Sequence, residues 1–436
     1  MIPTRRLLLL IGLLVLPLLL SSQFRLVADI AMLVNLVVIL LACIDLLISP
    51  GPQQVEITRD ISEVLSLGAS NPAVLHLRNR SGQTLTVSVH EDPGPMCVTE
   101  RLPQTVQLPP EKTVEVHYVV RPIRRGASEL PGVYLRYLTR LGLWTRHQMH
   151  PMPTRIRIYP DIRAVYRYEL MARQNRLAEI GVRMLRMPGQ GREFERLREF
   201  RYGDEVRQID WKATARHQQL ISREFNVERN QNLVIMVDCG RFMRHETDGI
   251  TNLDRALNSA IMLSYIALGQ GDNVSLMAFS NVIERFIRPV RGKPGVQSLL
   301  RSTYDIQASE HAADYNLALE YLSMMQRKRA LVILITAVTD ELQLRVIGES
   351  LKLTSMPYLS MCVLLQDVGL LQLAGRVPAS DPQAFHTAAA AEILTGQARE
   401  VAALRREGIL MVESPPDMLS ERMINEYLSI KMRGMM

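Results

Sequence analysis

Two long apolar runs open the chain. Leu7 to Leu20 is interrupted only by Gly12 and Pro17, and Ile30 to Ile48 is mostly apolar but carries Asn35 and Asp45. The second run is long enough to cross a bilayer as a helix, where those two polar side chains are costly unless they find partners or lie near an interface. The two runs predict a transmembrane helical hairpin over residues 1–50. The pattern then shortens. Val74 to Leu77, Leu85 to Val89, Val114 to Val120, Val133 to Tyr137 and Ile156 to Tyr159 predict strands, separated by Asn79-Arg80-Ser81-Gly82, Asp92-Pro93-Gly94-Pro95 and Pro109-Pro110. A small, Ig-like β-sandwich over 51–160 is the expectation.

Beyond residue 231 apolar runs alternate with helical patterns. Leu233 to Val237, Val274 to Phe279, Leu331 to Thr336, Tyr358 to Leu365 and Ile409 to Val412 are continuously apolar, as strands buried on both faces must be. Between them the spacing predicts helices from Asn252, as cap, to Leu268, then Val296 to Tyr304, Asp314 to Arg327, Glu341 to Leu353 and Asp381 to Arg406, with Met418 to Ile430 last. Val282 to Ile287 follows the second strand too closely for a crossover, so it should pair antiparallel at an edge. The fold class is therefore α/β, with a doubly wound sheet over 231–436.

A basic segment over 161–230 joins these parts. Residues 161–216 hold thirteen Lys or Arg against nine Asp or Glu, more than half of the formal net charge of +7. Inside it, Glu199 to Arg216 reads EFRYGDEVRQIDWKATAR. Its charges follow neither an alternating nor a helical pattern, which suits either a seam knitted by Arg and carboxylate forks or a partner surface. Trp211, one of two tryptophans, sits between Asp210 and Lys212 and reads as an anchored turn.

The run Arg198-Glu199-Phe200, Gly203-Asp204, Arg207, Ile209-Asp210-Trp211-Lys212 and Thr214-Ala215-Arg216 resembles the signature of the bacterial domain of unknown function 58 family. The similarity extends to the membrane hairpin, to a sandwich containing Arg121-Pro122-Ile123-Arg124-Arg125-Gly126 and Gly142-Leu143-Trp144, and to a von Willebrand factor A-like domain. On the residues themselves, the arginine turn reads as solvated. In A domains the first strand ends in Asp-x-Ser-x-Ser, whose carboxylate and hydroxyls, with a later Thr and Asp, hold Mg²⁺. Here the motif is Asp238-Cys239-Gly240-Arg241-Phe242, and His311 to Tyr315 offers no Thr. The site is degenerate. Asp238 and Asp340 remain as candidate ligands, since Mg²⁺ accepts one or two carboxylates with waters; otherwise they cap loops or helices and pair with basic neighbours such as Arg241.

Charge and chemistry narrow the function. Arg5 and Arg6 precede the first run, Arg25 alone lies between the two, and Arg59, Arg78 and Arg80 follow, which puts both ends on the cytoplasmic side of the inner membrane. A pI near 9.3 suits anionic lipid as well as nucleic acid, and no interleaved aromatic platform supports the latter. Cys43, Cys97, Cys239 and Cys362 form no ligand or disulfide pattern. Neither a phosphate loop, a nucleophile elbow nor a His-Glu-x-x-His helix occurs, and Arg291-Gly292-Lys293-Pro294-Gly295 reads as a basic turn. The expectation is a non-enzymatic, membrane-anchored adaptor that contacts lipid and other membrane or assembly-complex proteins and carries no cofactor. The resemblance implies a MoxR-type AAA+ ATPase as partner. The predicted binding surface comprises Arg201, Asp204, Arg207, Asp210, Trp211, Lys212 and Arg216 beside the Asp238 crevice. The alternatives are a metal-dependent hydrolase or nuclease using Asp204, Asp210 and Asp238, and a purely structural membrane-complex subunit.

Overall fold

The computed structural model describes all residues except 21–24, 50, 52–53, 161–192, 202–205, 207–208, 227–229, 248, 354–357 and 436. Contacts divide the chain into two compact units, Met1–Ile158 and Tyr159–Met436.

The first unit starts with a short strand, β1 (Ile2–Pro3), and two helices, α1 (Arg5–Leu20) and α2 (Arg25–Ile48). Among the described residues no helix is long and apolar enough to cross a membrane. Both helices nonetheless turn large apolar side chains outward, among them Leu9 at 73%, Leu13 at 66%, Leu36 at 62% and Leu47 at 84% exposure. Strands β2 (Val55–Ile61), β3 (Val64–Ser66), β4 (Asn71–Asn79), β5 (Leu85–Glu91), β6 (Cys97–Glu100), β7 (Gln104–Leu108), β8 (Thr113–Pro122), β9 (Gly126–Leu138) and β10 (Trp144–Tyr159) follow. They form two antiparallel sheets, ordered β2-β4-β8-β6 and β1-β10-β9-β5-β7, with β3 pairing β10. Leu75, Leu77 and Val116 of one sheet share a core with Val87, Leu135 and Ile156 of the other. All five predicted strands appear. The edge strands β2, β6 and β7 escape a periodicity reading because half of each faces water.

Within this core Arg59 meets Glu91 at 2.6 Å, both essentially without exposure, and Arg59 Nη1 also donates to Met152 O (2.9 Å) and Thr154 Oγ1 (2.7 Å). Burial pushes the Glu91 carboxyl up from its ordinary value, and the Tyr118 hydroxyl and Arg59 pull it only part of the way back. The arginine turn departs from the solvated reading. Arg124 is exposed, but Arg125 is 3% exposed and belongs to the sandwich interior.

The second unit opens with a two-stranded module, β11 (Glu193–Glu199) and β12 (Ile221–Asn226), bracketing α3 (Trp211–His217). The doubly wound sheet follows. It contains β13 (Asn232–Asp238), β16 (Asn273–Phe279), β17 (Ile283–Val290), β18 (Ala330–Thr336), β19 (Tyr358–Leu365) and β20 (Leu410–Ser414); a small hairpin, β14 (Glu246–Thr247) and β15 (Ile250–Thr251), stands apart. The order is β17-β16-β13-β18-β19-β20, parallel except for β17 at the edge. Helices α4 (Asn252–Gly269), α5 (Gly292–Thr303), α6 (Tyr315–Met325), α7 (Glu341–Leu353), α8 (Val368–Ala374), α9 (Asp381–Arg406) and α10 (Leu419–Met432) cover it.

Side chains alternate between two cores. Leu233, Ile235 and Val237 face one layer, with α4 and α10; Val234 and Met236 face the other, with α6, α7 and α9. Two sequence expectations need correction. Thr251, not Asn252, caps α4, because its hydroxyl accepts from Asp254 N at 3.0 Å. The Arg291 to Gly295 stretch is not a free turn, since α5 begins at Gly292. At the amino ends of the strands Tyr427 and Lys431 of α10 both donate to Asp272, at 2.5 and 2.6 Å, and fasten the last helix to the sheet.

Candidate functional site

Strands β13 and β18 run side by side although the chain visits β16 and β17 between them. Crossovers therefore leave these two strands in opposite directions, opening a crevice beyond their carboxyl ends, where open α/β sheets bind ligands. A cavity of about 450 Å³ occupies this place, lined by Arg241, Phe242, Arg244, Asn252, Thr339 and Asp367 among others. Arg244 pairs with Glu310 at 2.8 Å, and the Arg241 guanidinium lies 4.9 Å from the centre of the Phe242 ring.

Asp238 lies in the interior at 2% exposure. Its Oδ1 accepts from Gly240 N at 2.6 Å, and its Oδ2 accepts from Thr336 Oγ1 at 2.6 Å and Tyr315 Oη at 2.9 Å. Burial pushes its pKa up, and the three neutral donors offset only part of that. Arg241 is not its partner, contrary to the sequence expectation. The hydroxyls come from Tyr315 and Thr336, which sequence reasoning missed. Thr336 had a signal, being the one hydroxyl at the end of the apolar run Ala330 to Thr336; Tyr315, 77 positions from Asp238, had none.

These residues do not fit a magnesium ion. Both Asp238 oxygens already accept from protein donors, and a side chain at Gly240, where A domains carry a serine, has no room: its Cβ would lie 2.8 Å from Ala313 N and 3.0 Å from Asp238 Oδ1. Asp340 is exposed, accepts from Leu342 N at 2.9 Å at the start of α7, and lines a separate cavity of about 700 Å³ with Glu341, Glu392 and Arg399. Asp238 and Asp340 have no hydrogen-bond partner in common. Among the described residues no group of three or more His, Cys, Asp or Glu is placed to hold a metal.

The signature segment is described in part. Asp204 and Arg207 lie outside the described residues. Asp210 caps α3, its Oδ1 accepting from Lys212 N and Ala213 N at 3.0 Å, and its Oδ2 pairs with Arg223 at 2.9 Å. The Ala213 amide and Arg223 hold its carboxyl below the usual carboxylate range. Trp211 occupies the first turn of α3 and is 63% exposed, so the anchored-turn expectation is wrong: the cap is fixed, and the indole beside it projects outward. Arg201, Lys212 and Arg216 are exposed as well.

The second unit is thus a mixed α/β domain with a mostly parallel sheet, a switch-point crevice and a capped helix presenting a tryptophan. Residues 196–396 match the family described as Protein of unknown function DUF58, and the chain carries a domain of that family. The chain is also similar to the crystal structure of conserved hypothetical protein BatB from Bacteroides thetaiotaomicron, at 11% identity over 46% of this chain and 98% of that one, with a TM-score of 0.29. A second similarity is to the FixG-related protein from Vibrio parahaemolyticus, at 10% identity over 24% and 96%, with a TM-score of 0.17. No curated protein matches the chain.

Proposed function

We propose that this protein is a membrane-tethered, non-enzymatic adaptor whose second unit is a von Willebrand factor A-like recognition domain. The observation that carries this reading is Trp211. A tryptophan 63% exposed on a helix whose first turn is held by Asp210 is a large anchor on a backbone that is already ordered, flanked by Lys212 and Arg216. The switch-point crevice, with Arg241 and Arg244 in its lining, is the second contact surface. The hydrolase reading has less support, because the Asp210 and Asp238 carboxylates are engaged by protein donors. The partner implied by the family signature is a MoxR-type AAA+ ATPase.

Capture of that ATPase by the full-length protein is the test. Trp211→Ala should weaken it about thirtyfold or more, the loss typical of a central aromatic anchor. Equal capture by wild type and variant would overturn the reading.

Tethering rests on the apolar side chains that α1 and α2 expose, since a patch of that kind in a stable protein is covered by something apolar. Cys43, on α2, is the exposed cysteine, whereas Cys97, Cys239 and Cys362 are buried. Burial pushes the Cys97 and Cys362 thiols up to about 12. In sealed vesicles holding the full chain, a charged maleimide should leave Cys43 unlabelled until detergent is added. Prompt labelling before detergent would rule out the tether.

A further inference from the structure

In the first unit the carboxyl end of α2 and the start of α1 are fastened to the turn between β9 and β10. Asp45, 1% exposed, accepts from Leu141 N (2.8 Å), Thr139 Oγ1 (2.6 Å) and Leu143 N (3.3 Å). Trp144 Nε1 donates to Ala42 O at 3.0 Å, and Arg146 Nη2 donates to Leu46 O at 2.7 Å, which satisfies carbonyls near the end of α2. From α1's side, Thr4 donates to Leu143 O through its amide (2.9 Å) and to Gly142 O through its hydroxyl (2.8 Å), and β1 pairs with the start of β10. Leu7, Ala42 and Leu143 close a small apolar cluster behind these bonds. The polar residue that looked costly inside an apolar run is thus a latch.

The latch fixes what surrounds it. Leu138 and Leu141 stand 55% and 51% exposed on the turn, beside exposed Arg140, and Arg5 and Arg6 are exposed at the foot of α1. Apolar and basic groups therefore share one rim, at the level where the outward-facing leucines of α1 and α2 begin. Leucines that enter the acyl boundary and arginines that meet phosphate are the chemistry of a bilayer surface with anionic head groups. A tryptophan with one polar end satisfied suits the same depth.

We infer that the β9–β10 turn, held by Asp45, is a seat on the bilayer that binds anionic lipid head groups and fixes the sandwich against the membrane. The inference rests on the tethering reading above, continues the apolar surface of α1 and α2, and adds a lipid class and a residue set.

The experiment uses full-length protein with Trp211→Phe, so that Trp144 is the sole tryptophan, in phosphatidylcholine vesicles with or without phosphatidylglycerol. Lipids brominated near the head group should quench Trp144, and more so in anionic vesicles. Arg140→Glu, a surface change that leaves the latch intact, should shrink that anionic preference about fivefold or more, since it removes one cation and adds an anion. Asp45→Asn should weaken the quenching in both vesicle types. Unquenched Trp144 with Cys43 shielded overturns the seat while the tether stands. Cys43 labelled in the same vesicles means that the tethering reading itself has failed. Quenching that is equal in both vesicle types, and unmoved by Arg140→Glu, overturns the anionic-lipid assignment.

Discussion

Replacing Arg59 by methionine is expected to destabilise the sandwich by about 3–5 kcal/mol. The residue is enclosed, so its loss leaves the Glu91 carboxylate in a medium that cannot solvate it, and strips Met152 O and Thr154 Oγ1 of a donor. Protonation of Glu91 offers partial relief, because burial already moves its pKa upward. The double variant Arg59→Met/Glu91→Leu should recover most of the loss, since replacing both members of a buried pair by apolar groups is often close to neutral. Urea unfolding of the Trp211→Phe protein, followed by Trp144 fluorescence, reads the sandwich alone. A double variant no more stable than the single one would show that the hydrogen bonds to Met152 and Thr154, rather than the ion pair, carry the energy.

At the sheet crest, Asp238→Ala should cost about 3 kcal/mol, whereas Asp238→Asn should cost about 1 kcal/mol or less. Alanine orphans the Gly240 amide and both hydroxyls, at roughly 1–3 kcal/mol for each buried donor left unmet. Tyr315 Oη and Thr336 Oγ1 lie 3.1 Å apart and can turn to each other, which limits the total. Asparagine keeps an acceptor for Gly240 N, and its amide can donate to hydroxyls that reverse their roles. The pH dependence separates the two as well. Because the folded-state pKa of Asp238 is raised, the native state binds the proton more tightly than the unfolded chain. Its contribution is therefore complete below the ordinary carboxylate pKa and is lost as pH rises through the raised value. Asp238→Asn should flatten that slope. Hydrogen exchange of the β13 and β18 amides in rising urea provides the measurement. A severe loss in Asp238→Asn, together with a Mg²⁺ stabilisation of the wild type that the variant lacks, would favour a metal ligand over a hydrogen-bond hub.

The buried strands and long helices beyond residue 231 were legible because continuous apolar runs and 3.6-residue patterns report burial directly, whereas the β11–α3–β12 module and the β14–β15 hairpin were not. Glu341–Leu353, Tyr358–Leu365 and Asp381–Arg406 fall where the pattern put them. The short helix α8 went unseen, since none of its residues is buried and it leaves no periodic trace. In the signature the residue types were legible and their postures were not. Asp210 as a cap needs only the local chain, but whether Trp211 turns inward or outward depends on what packs around it.

The order of residues alone was enough to place the buried strands and the long helices of the second unit, to make its sheet doubly wound with an antiparallel edge, and to show that Ser is missing from positions 240 and 242. Those properties follow from local periodicity and residue identity. Packing in three dimensions was needed to learn that Asp238 is satisfied by Tyr315 and Thr336, that Asp45 is hydrogen-bonded to the β9–β10 turn, and that Arg125 is interior. Each of these joins groups roughly 80 to 100 positions apart, or turns on which side of a packed layer a side chain falls. Hydrogen bonds and desolvation act through space, so a carboxylate's role is set by neighbours that the order of the chain does not reveal.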